Sequence, residues 1–412
     1  MQLRYRYRLY PTEQQRQALA QAFGNARVVY NDAVRARQDA YQAGEKFPTG
    51  TQLQKQLITN AKRTDERGWL AECSNIVLQQ AIRDADAAYT NFFNSMKGKR
   101  AGRRMGAPRF KSKRDQRQVI RLHTGGFRIR ENGRLNLAKV GDVRVAWSRD
   151  LPSAPTSVTI IKTACGRYFA SFVVETDPDG HGEHLDPVVD DTGEEAELAL
   201  DLGLNAFATD QHGHTITNPR VLRRAERRLK KAQRALSRKQ RGSTNRAKAG
   251  ARVARLHAKV ADTRADWLHK VTTDVVRENQ TIYVEDLSVK GLSRTRMAKS
   301  VHDASWGRFL ALLEYKAARY GRTLVRIDRF HPSTKLCSSC GAVQDMPLSE
   351  RVYRCPCGLV LDRDRNAALN ILAAGRVERL NACGADIRPA TRAVGVEAGS
   401  SGIPRGNTAS AA

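Results

Sequence analysis

The stretch Cys337–Leu372, CSSCGAVQDMPLSERVYRCPCGLVLDRDRNAALNIL, sets four cysteines directly in front of an Asp-Arg-Asp sequence that opens a helix-forming run. Cys337 and Cys340 form a C-x-x-C pair, and after a loop Cys355 and Cys357 form a C-x-C pair. Tetrahedral Zn²⁺ takes four thiolates delivered as two close pairs, so the pattern predicts one zinc ion held by all four. The second knuckle must be tighter than a zinc ribbon's, because one residue, not two, separates its ligands. Immediately downstream stand Asp362 and Asp364, either of which could cap the helix DRNAALNIL.

Working outward, two further acids occupy positions that need explaining. Asp201 is flanked by Leu200 and Leu202 in LALDLGL, which reads as a buried strand, where an unpaired charge is expensive. Glu285 ends the strand-like TIYVE. Taken singly, Asp201 could be a turn residue and Glu285 could pair with an arginine. Taken together, Asp201, Glu285 and Asp364 are explained if they converge on divalent cations: two Mg²⁺ ions about 4 Å apart need acidic oxygens from separate elements brought to one point.

Composition narrows the partner. The 412 residues carry 71 Lys and Arg against 42 Asp and Glu, a formal net charge of +29, with 41% hydrophobic residues. That imbalance repels itself unless a polyanion neutralises it, and nucleic acid is the expected polyanion. No apolar run is long enough to span a bilayer, and the opening MQLRYRYRLY repeats Arg where a secretion signal would be apolar. The remaining cysteines, Cys73, Cys165 and Cys383, are scattered, which suits a reduced compartment with one metal site. A cytoplasmic, nucleoid-associated protein that does not contact membrane is expected.

Along the chain, QLRYRYRLY alternates as a strand with an Arg face, and Thr12 with Gln15 forms a capping box that opens a helix bearing Leu19, Phe23, Ala26, Tyr30 and Val34. A second helix bears Leu78, Ile82, Ala85, Tyr89, Phe92 and Met96 and is expected to pack on the first. The basic run Lys97 to Arg117 has no apolar period. From QVIRL to YFASFVVET short alternating segments predict a small β-barrel or sheet that the first strand joins. An acidic, Gly- and Pro-bearing stretch then reads as a linker, and a new domain starts near Glu197. Within it a strand passes into a hairpin at Gly213, and a long basic helical hairpin follows, broken at Gly242-Ser243, with the narrow seam Leu222, Ala225, Leu229, Ala232 and Leu236. Strands and helices then alternate as in an α/β layer.

Several stretches together resemble the TnpB (OrfB) family of insertion-sequence proteins, relatives of the type V CRISPR effectors. They are RYRLYPTEQQ, GAPRFKSKR, LALDLGLNAFAT, LSRKQRGSTNRAKA, YVEDLSV, FHPSTKLCSSCG and CGLVLDRDRNAALNIL, in the family's order across most of the chain. The resemblance implies a multidomain α/β protein with a β-barrel. An RNase H-like RuvC domain (197–333 and 359–375) would carry an inserted zinc finger (334–358). A wedge β-barrel (1–10 and 115–175) with a helical recognition insertion (11–114) would precede it, with an acidic linker (176–196) between and a disordered tail (376–412) after.

The same resemblance implies RNA-guided cleavage of double-stranded DNA, with a guide RNA from the transposon end pairing beside a short transposon-adjacent motif. Asp201, Glu285 and Asp364 would be the catalytic ligands of two Mg²⁺, the family's acid being the one before x-Asn-Ala-Ala, and Asp362 would point elsewhere. The segment Lys97 to Arg117, with Arg109, Lys111 and Lys113, and the Arg220 to Lys259 hairpin, with Arg227, Lys231, Arg238 and Lys239, would meet RNA and heteroduplex phosphates. Arg4, Arg6 and Arg8 would contact the guide scaffold, and Gln80 is a candidate for reading an adenine. Two other readings fit the class: an RNA-guided DNA-binding regulator whose nuclease site has decayed, and a transposase acting on transposon ends.

Overall fold

Alternation in QLRYRYRLY becomes strand β1 (Gln2–Tyr10) of a computed structural model that describes residues 2–115, 117–175, 185–347 and 349–382. Tyr5, Tyr7 and Leu9 are buried, and Arg4, Arg6 and Arg8 lie on the opposite face, as a period of two requires. The chain divides into Met1–His181 with Lys231–Ala258, and Gly182–Lys230 with Lys259–Ala412.

In the first unit α1 (Glu13–Gln42), α2 (Gly50–Gln54) and α3 (Asn75–Met96) separate β1 from β2 (Gln118–His123), β3 (Phe127–Ile129), β4 (Leu135–Leu137), β5 (Gly141–Ala146), β6 (Pro155–Lys162) and β7 (Tyr168–Glu175). The Thr12 hydroxyl accepts from Gln15 N and the Gln15 side chain from Thr12 N, closing the capping box. The strands form one antiparallel sheet in the order β2-β6-β7-β1-β5-β4-β3. Its two edge strands, β2 and β3, are joined by Thr124–Gly126 alone, so the sheet must curl until its edges nearly meet. Leu19, Phe23, Val34, Leu78, Ile82 and Tyr89 share one core with Ile120, Leu122 and Phe172 of this barrel-like sheet. Met96, the last residue of α3, is exposed, so the apolar stripe closes a turn early.

The second unit contains β8 (Glu197–Asp201), β9 (Ala206–Asp210), β10 (Thr215–Thr217), the start of α4 (Val221–Ser237), the later part of α5 (Thr244–Glu278), β11 (Thr281–Glu285), α6 (Val289–Leu292), α7 (Ala298–Ala304), α8 (Trp306–Tyr320), β12 (Thr323–Ile327), β13 (Val352–Arg354), β14 (Val360–Asp362) and α9 (Arg363–Ala382). Its main sheet runs β10-β9-β8-β11-β12, with β8, β11 and β12 parallel and the β8-β9 and β9-β10 pairs antiparallel, an RNase H-like order. On one face Leu200, Ile282 and Val284 pack with Leu268, Val276, Phe309 and Leu313; on the other, Ala199, Tyr283 and Ile327 pack with Ile371 of α9. Coverage on both faces explains why TIYVE is apolar almost throughout. At the base of the basic hairpin, buried Asp303 accepts from Leu222 N (2.8 Å), Arg223 N (3.1 Å) and Arg264 Nη2 (3.0 Å), capping α4 from α7. Gly242, at φ 85°, makes the turn into α5.

Two sequence expectations change. Residues 185–196, expected to belong to a linker, are tied to the second unit: buried Arg322 donates to Leu185 O (3.2 Å) and Asp186 O (2.8 Å), and Gln280 Oε1 accepts from Val188 N (3.3 Å). A buried guanidinium needs acceptors, and this segment's carbonyls supply them. Residues 376–382, expected in a disordered tail, continue α9, with Arg376 and Arg379 paired to Glu197 and Glu195 at 2.6 and 2.7 Å. The rest of the expected linker (176–184) and tail (383–412, with Cys383) lies outside the described residues.

Gly375 shows how tightly α9 sits on the sheet, since a Cβ there would meet the Tyr283 ring at 2.1 Å. Gly to Ala inside a helix ordinarily stabilises by about 1 kcal/mol. Here the sign should reverse, with G375A losing roughly 3 kcal/mol through overpacking. Urea denaturation checks it; an unchanged or raised midpoint would mean that α9 does not pack this closely.

Candidate metal centres

The parallel register between β8 and β11 pairs Leu200 with Val284, and one step further along both strands lie Asp201 and Glu285. Asp201 ends β8, not the middle of a longer strand, and Glu285 ends β11. Because side chains alternate, each follows the parity of Ala199 and Tyr283 and belongs to the α9 face. There Asp364 lies in the first turn of α9. Neighbouring parallel strands are about 4.8 Å apart, so two carboxylates are forced side by side at the carboxyl ends of the strands, where α/β sheets place their sites.

The charges of Glu285 and Asp364 act on Asp201. Burial, then the charges of Glu285 and Asp364, push the Asp201 carboxyl up to about 8, against an opposing pull from Arg363. Asp362 adds to the push, yet its Oδ1 accepts from Asp364 N (2.9 Å) and Arg365 N (3.1 Å) and so caps α9. Among the described residues, these three carboxylates do not gather as tightly as the cysteines below, whose ligand atoms all lie within 4.8 Å of one another.

Four residues given no role in the sequence reading brace this region: Ser333 and Arg363 bond Glu285 and Asp364 directly, and Asn366 and Asn370 hold the loop that carries Ser333. Ser333 Oγ donates to Glu285 Oε1. Arg363 places Nε and Nη2 on Asp364 Oδ1 at 3.1 and 3.0 Å, while its Nη1 reaches Glu350 O at 3.0 Å. Asn370 Nδ2 donates to Ser333 O (2.8 Å) and Leu336 O (2.7 Å); Asn366 bonds Leu336 O (2.7 Å) and Ser338 N (3.0 Å). The asparagines carried a sequence signal, two polar residues at i and i+4 among the apolar positions of NAALNIL, whereas Ser333 and Arg363 carried none.

All four knuckle sulfurs come together, Cys337 3.7 Å from Cys357 and Cys340 3.6 Å from Cys355. The short C-x-C pair closes through the turn Cys355–Gly358, with Gly358 at φ 94° and its N bonded to Cys355 O (3.0 Å) between β13 and β14. Burial would raise the Cys337 thiol, but backbone N–H groups of Cys340 and Ser339 stabilise the thiolate and bring it down to about 7. Cys355 goes the other way, to about 12: the Cys357 backbone favours its thiolate, but burial and the neighbouring sulfurs outweigh that. A zinc ion would displace the remaining thiol protons and neutralise four clustered thiolates, and an all-sulfur set of four fits it.

The basic residues are spread over both units. On the barrel, Arg6 lies 3.8 Å and Arg8 5.1 Å from the Phe169 ring centroid, while Arg4 is exposed. Asn31 bonds the backbone N and O of Lys111, whose Nζ lies 3.7 Å over Tyr30. Arg109, Lys113, Arg227, Lys231, Arg238 and Lys239 are exposed. Gln80 is half-buried and donates to Asp84 Oδ1 at 3.1 Å. No helix among the described residues is long and apolar enough to cross a membrane.

Two outcomes follow. Purified protein should contain one equivalent of zinc by plasma mass spectrometry, lost in C337S and C357S; protein that retains no zinc would contradict the four-sulfur site. For Asp201, the folded value of about 8 exceeds the unfolded value of about 3.9, so between these the folded state holds an extra proton and stability falls as pH rises. In chelator, D201N should therefore melt several degrees above wild type at pH 8 and level with it near pH 4. Equal melting at both would show that Asp201 is not charge-strained.

Comparison with known proteins agrees with this architecture. Residues 171–296 match a family model described as "Probable transposase" (OrfB of IS605), and residues 306–371 match the Cas12f1-like TNB domain. A model described as a helix-turn-helix domain matches residues 1–46, which here form β1 and α1 and then a short loop segment. A Streptomyces pristinaespiralis protein named "Putative RNA-guided DNA endonuclease" is 42% identical over 93% of this chain and 92% of its own. Escherichia coli InsQ, which bears the same description, is 29% identical over 92% of this chain and 93% of its own. Among solved structures, a Cas12f1-sgRNA-target DNA complex aligns with TM-score 0.50 and 12% identity over 86% of this chain and 81% of that one, a likeness of fold. With its sheet order, its cysteine cluster and a relative 42% identical over 92% of that relative's length, the chain belongs to the TnpB (OrfB, IS605-type) family.

Proposed function

We propose that the chain is an RNA-guided DNA endonuclease that cuts double-stranded DNA beside a transposon-adjacent motif by metal-dependent phosphodiester hydrolysis. The observation that carries this is the parallel register that sets Asp201 and Glu285 side by side at the carboxyl ends of β8 and β11, on the face where Asp364 opens α9. Burial and the two neighbouring charges push the Asp201 carboxyl up. A self-repelling trio of acids has no structural use, but it is the oxygen-donor set that divalent cations require. Two Mg²⁺ bound there would supply an activated water and stabilisation of the leaving 3′ oxygen, yielding 5′-phosphate ends. Asp201, Glu285 and Asp364 are the proposed ligands. Ser333 fixes the Glu285 carboxylate through Oε1 and Arg363 fixes that of Asp364 through Oδ1. Exposed Arg351 places Nη1 3.8 Å from Asp364 Oδ2, a pairing that an ion at that oxygen would displace.

A net charge of +29 supports nucleic acid as the partner. In this reading a guide RNA from the transposon end pairs with the target strand and supplies sequence discrimination, while the protein holds the hybrid by charge and shape. We assign Arg4, Arg6 and Arg8 to the RNA scaffold. Arg109, Lys111 and Lys113, and Arg227, Lys231, Arg238 and Lys239 of the hairpin, are assigned to RNA and heteroduplex phosphates. Gln80 is assigned to the adjacent motif, where its amide must exchange Asp84 for a base. The barrel would serve as wedge, the α1–α3 segment as recognition insertion, the second unit as RuvC domain and the knuckle as its zinc finger.

Replacing Asp201 or Glu285 by alanine should lower cleavage of a guide-matched plasmid at least 10³-fold while leaving RNA-guided binding within a few-fold. Variants that still cut would show that the carboxylates are not the site. Cutting that needs transposon ends and no guide RNA would point to a transposase.

A further inference from the structure

Phe330 is 87% exposed, the highest value for a large apolar side chain among the described residues. It sits on the segment 328–333, which leads from β12 to the knuckle and is held at both ends. Asp328 Oδ1 accepts from Phe330 N (2.6 Å), and Asp328 O from His331 N (3.2 Å). Arg329 Nε donates to Asp286 O (3.0 Å) and its guanidinium pairs with the Asp286 carboxylate. At the far end Ser333 bonds Glu285, and Asn370 holds Ser333 O. Three residues of chain span at most about 11 Å, so the Phe330 backbone cannot stand farther than that from the serine that fixes Glu285.

A phenyl ring kept in water on a tied-down loop is not a packing residue, and its neighbours Asp328, Arg329 and His331 are polar. A protein partner would need an apolar patch of several hundred Å², which this one ring among polar neighbours does not make. A nucleobase needs only one flat face, and stacking on an aromatic ring strengthens binding by on the order of 10- to 100-fold per base whatever the sequence. Paired bases inside a duplex offer no free face. The occupant that fits is an unpaired base.

We propose that Phe330 is a stacking platform for one base of the single DNA strand led to Asp201, Glu285 and Asp364, and that it positions this strand for cutting. The inference rests on the endonuclease reading and adds a substrate contact to it. Its test uses the full chain purified with its RNA. F330A should lower kcat/KM on a guide-matched duplex about 10- to 100-fold, and F330W should restore it to within a few-fold, with guide RNA affinity and melting temperature unchanged. In the E285Q background, 2-aminopurine walked through a DNA strand should be quenched at one or two positions, and F330A should release that quenching. Wild-type cutting with F330A equally active, or no position whose fluorescence depends on residue 330, would overturn the proposal. Failure of wild type itself to cut would defeat the endonuclease reading instead; the fluorescence arm, which needs no cleavage, still decides whether the ring stacks.

Discussion

Like charges held together by a fold that does not need them are the constraint behind this structure. Asp201, Glu285 and Asp364 come from two adjacent parallel strands and the first turn of a helix, and the apolar faces of those elements fix where the acids must stand. Tyr283, on the α9 face beside Glu285, is packed by Gly375, and Glu197 at the start of β8 is gripped by Arg376. Packing holds α9 on the sheet, so burial, and after it the repulsion from Glu285 and Asp364, pushes the Asp201 carboxyl up. A fold that stores this strain is stabilised by whatever brings positive charge to the site.

The knuckle stands in front of the acids because the two centres form one piece of structure. Asn366 and Asn370 on α9 hook the backbone from Ser333 to Ser338, which carries Cys337. From the other side Arg363 bonds Glu350 O and Asp364 together. Ser333 completes the circuit at Glu285. Zinc, by closing a chain segment too short to build a core, would order the same loop that orients two of the three carboxylates. The one-residue gap of Cys355-Pro356-Cys357 does not disturb this, since the turn at Gly358 still brings both sulfurs into the cluster.

What the sequence disclosed follows from the range of the interactions. Strand β1, the capping box at Thr12, the α1 stripe and the C-x-x-C pair are set by neighbours a few positions apart, and they were legible. Glu285 stood out as an acid ending an apolar strand, and Asp201 as an acid among leucines, though it closes β8 where the sequence placed it mid-strand. The short helical turns between α1 and α3, with Leu53, Ile58 and Leu70 buried, have no period long enough to read. The anchoring of residues 185–196 depends on Arg322, more than a hundred positions away, and the last turns of α9 depend on Glu195 and Glu197. Ser333 and Arg363 look ordinary until the fold brings Glu285 and Asp364 to them. Of the seam expected in α4, Leu229 and Ala232 are buried, while Leu222, Ala225 and Leu236 remain partly open.

Guided cleavage on this scaffold would divide the labour: base pairing chooses the DNA, cationic surfaces hold it, and one crowded group of acids cuts it. The central claim is that the acids are crowded in order to share cations. Anomalous diffraction from crystals of the protein soaked in Mn²⁺ tests it most directly. Two manganese peaks about 4 Å apart, coordinated by Asp201, Glu285 and Asp364, are the expected result. Manganese bound elsewhere at saturating concentration, with the three carboxylates left without it, would contradict the account.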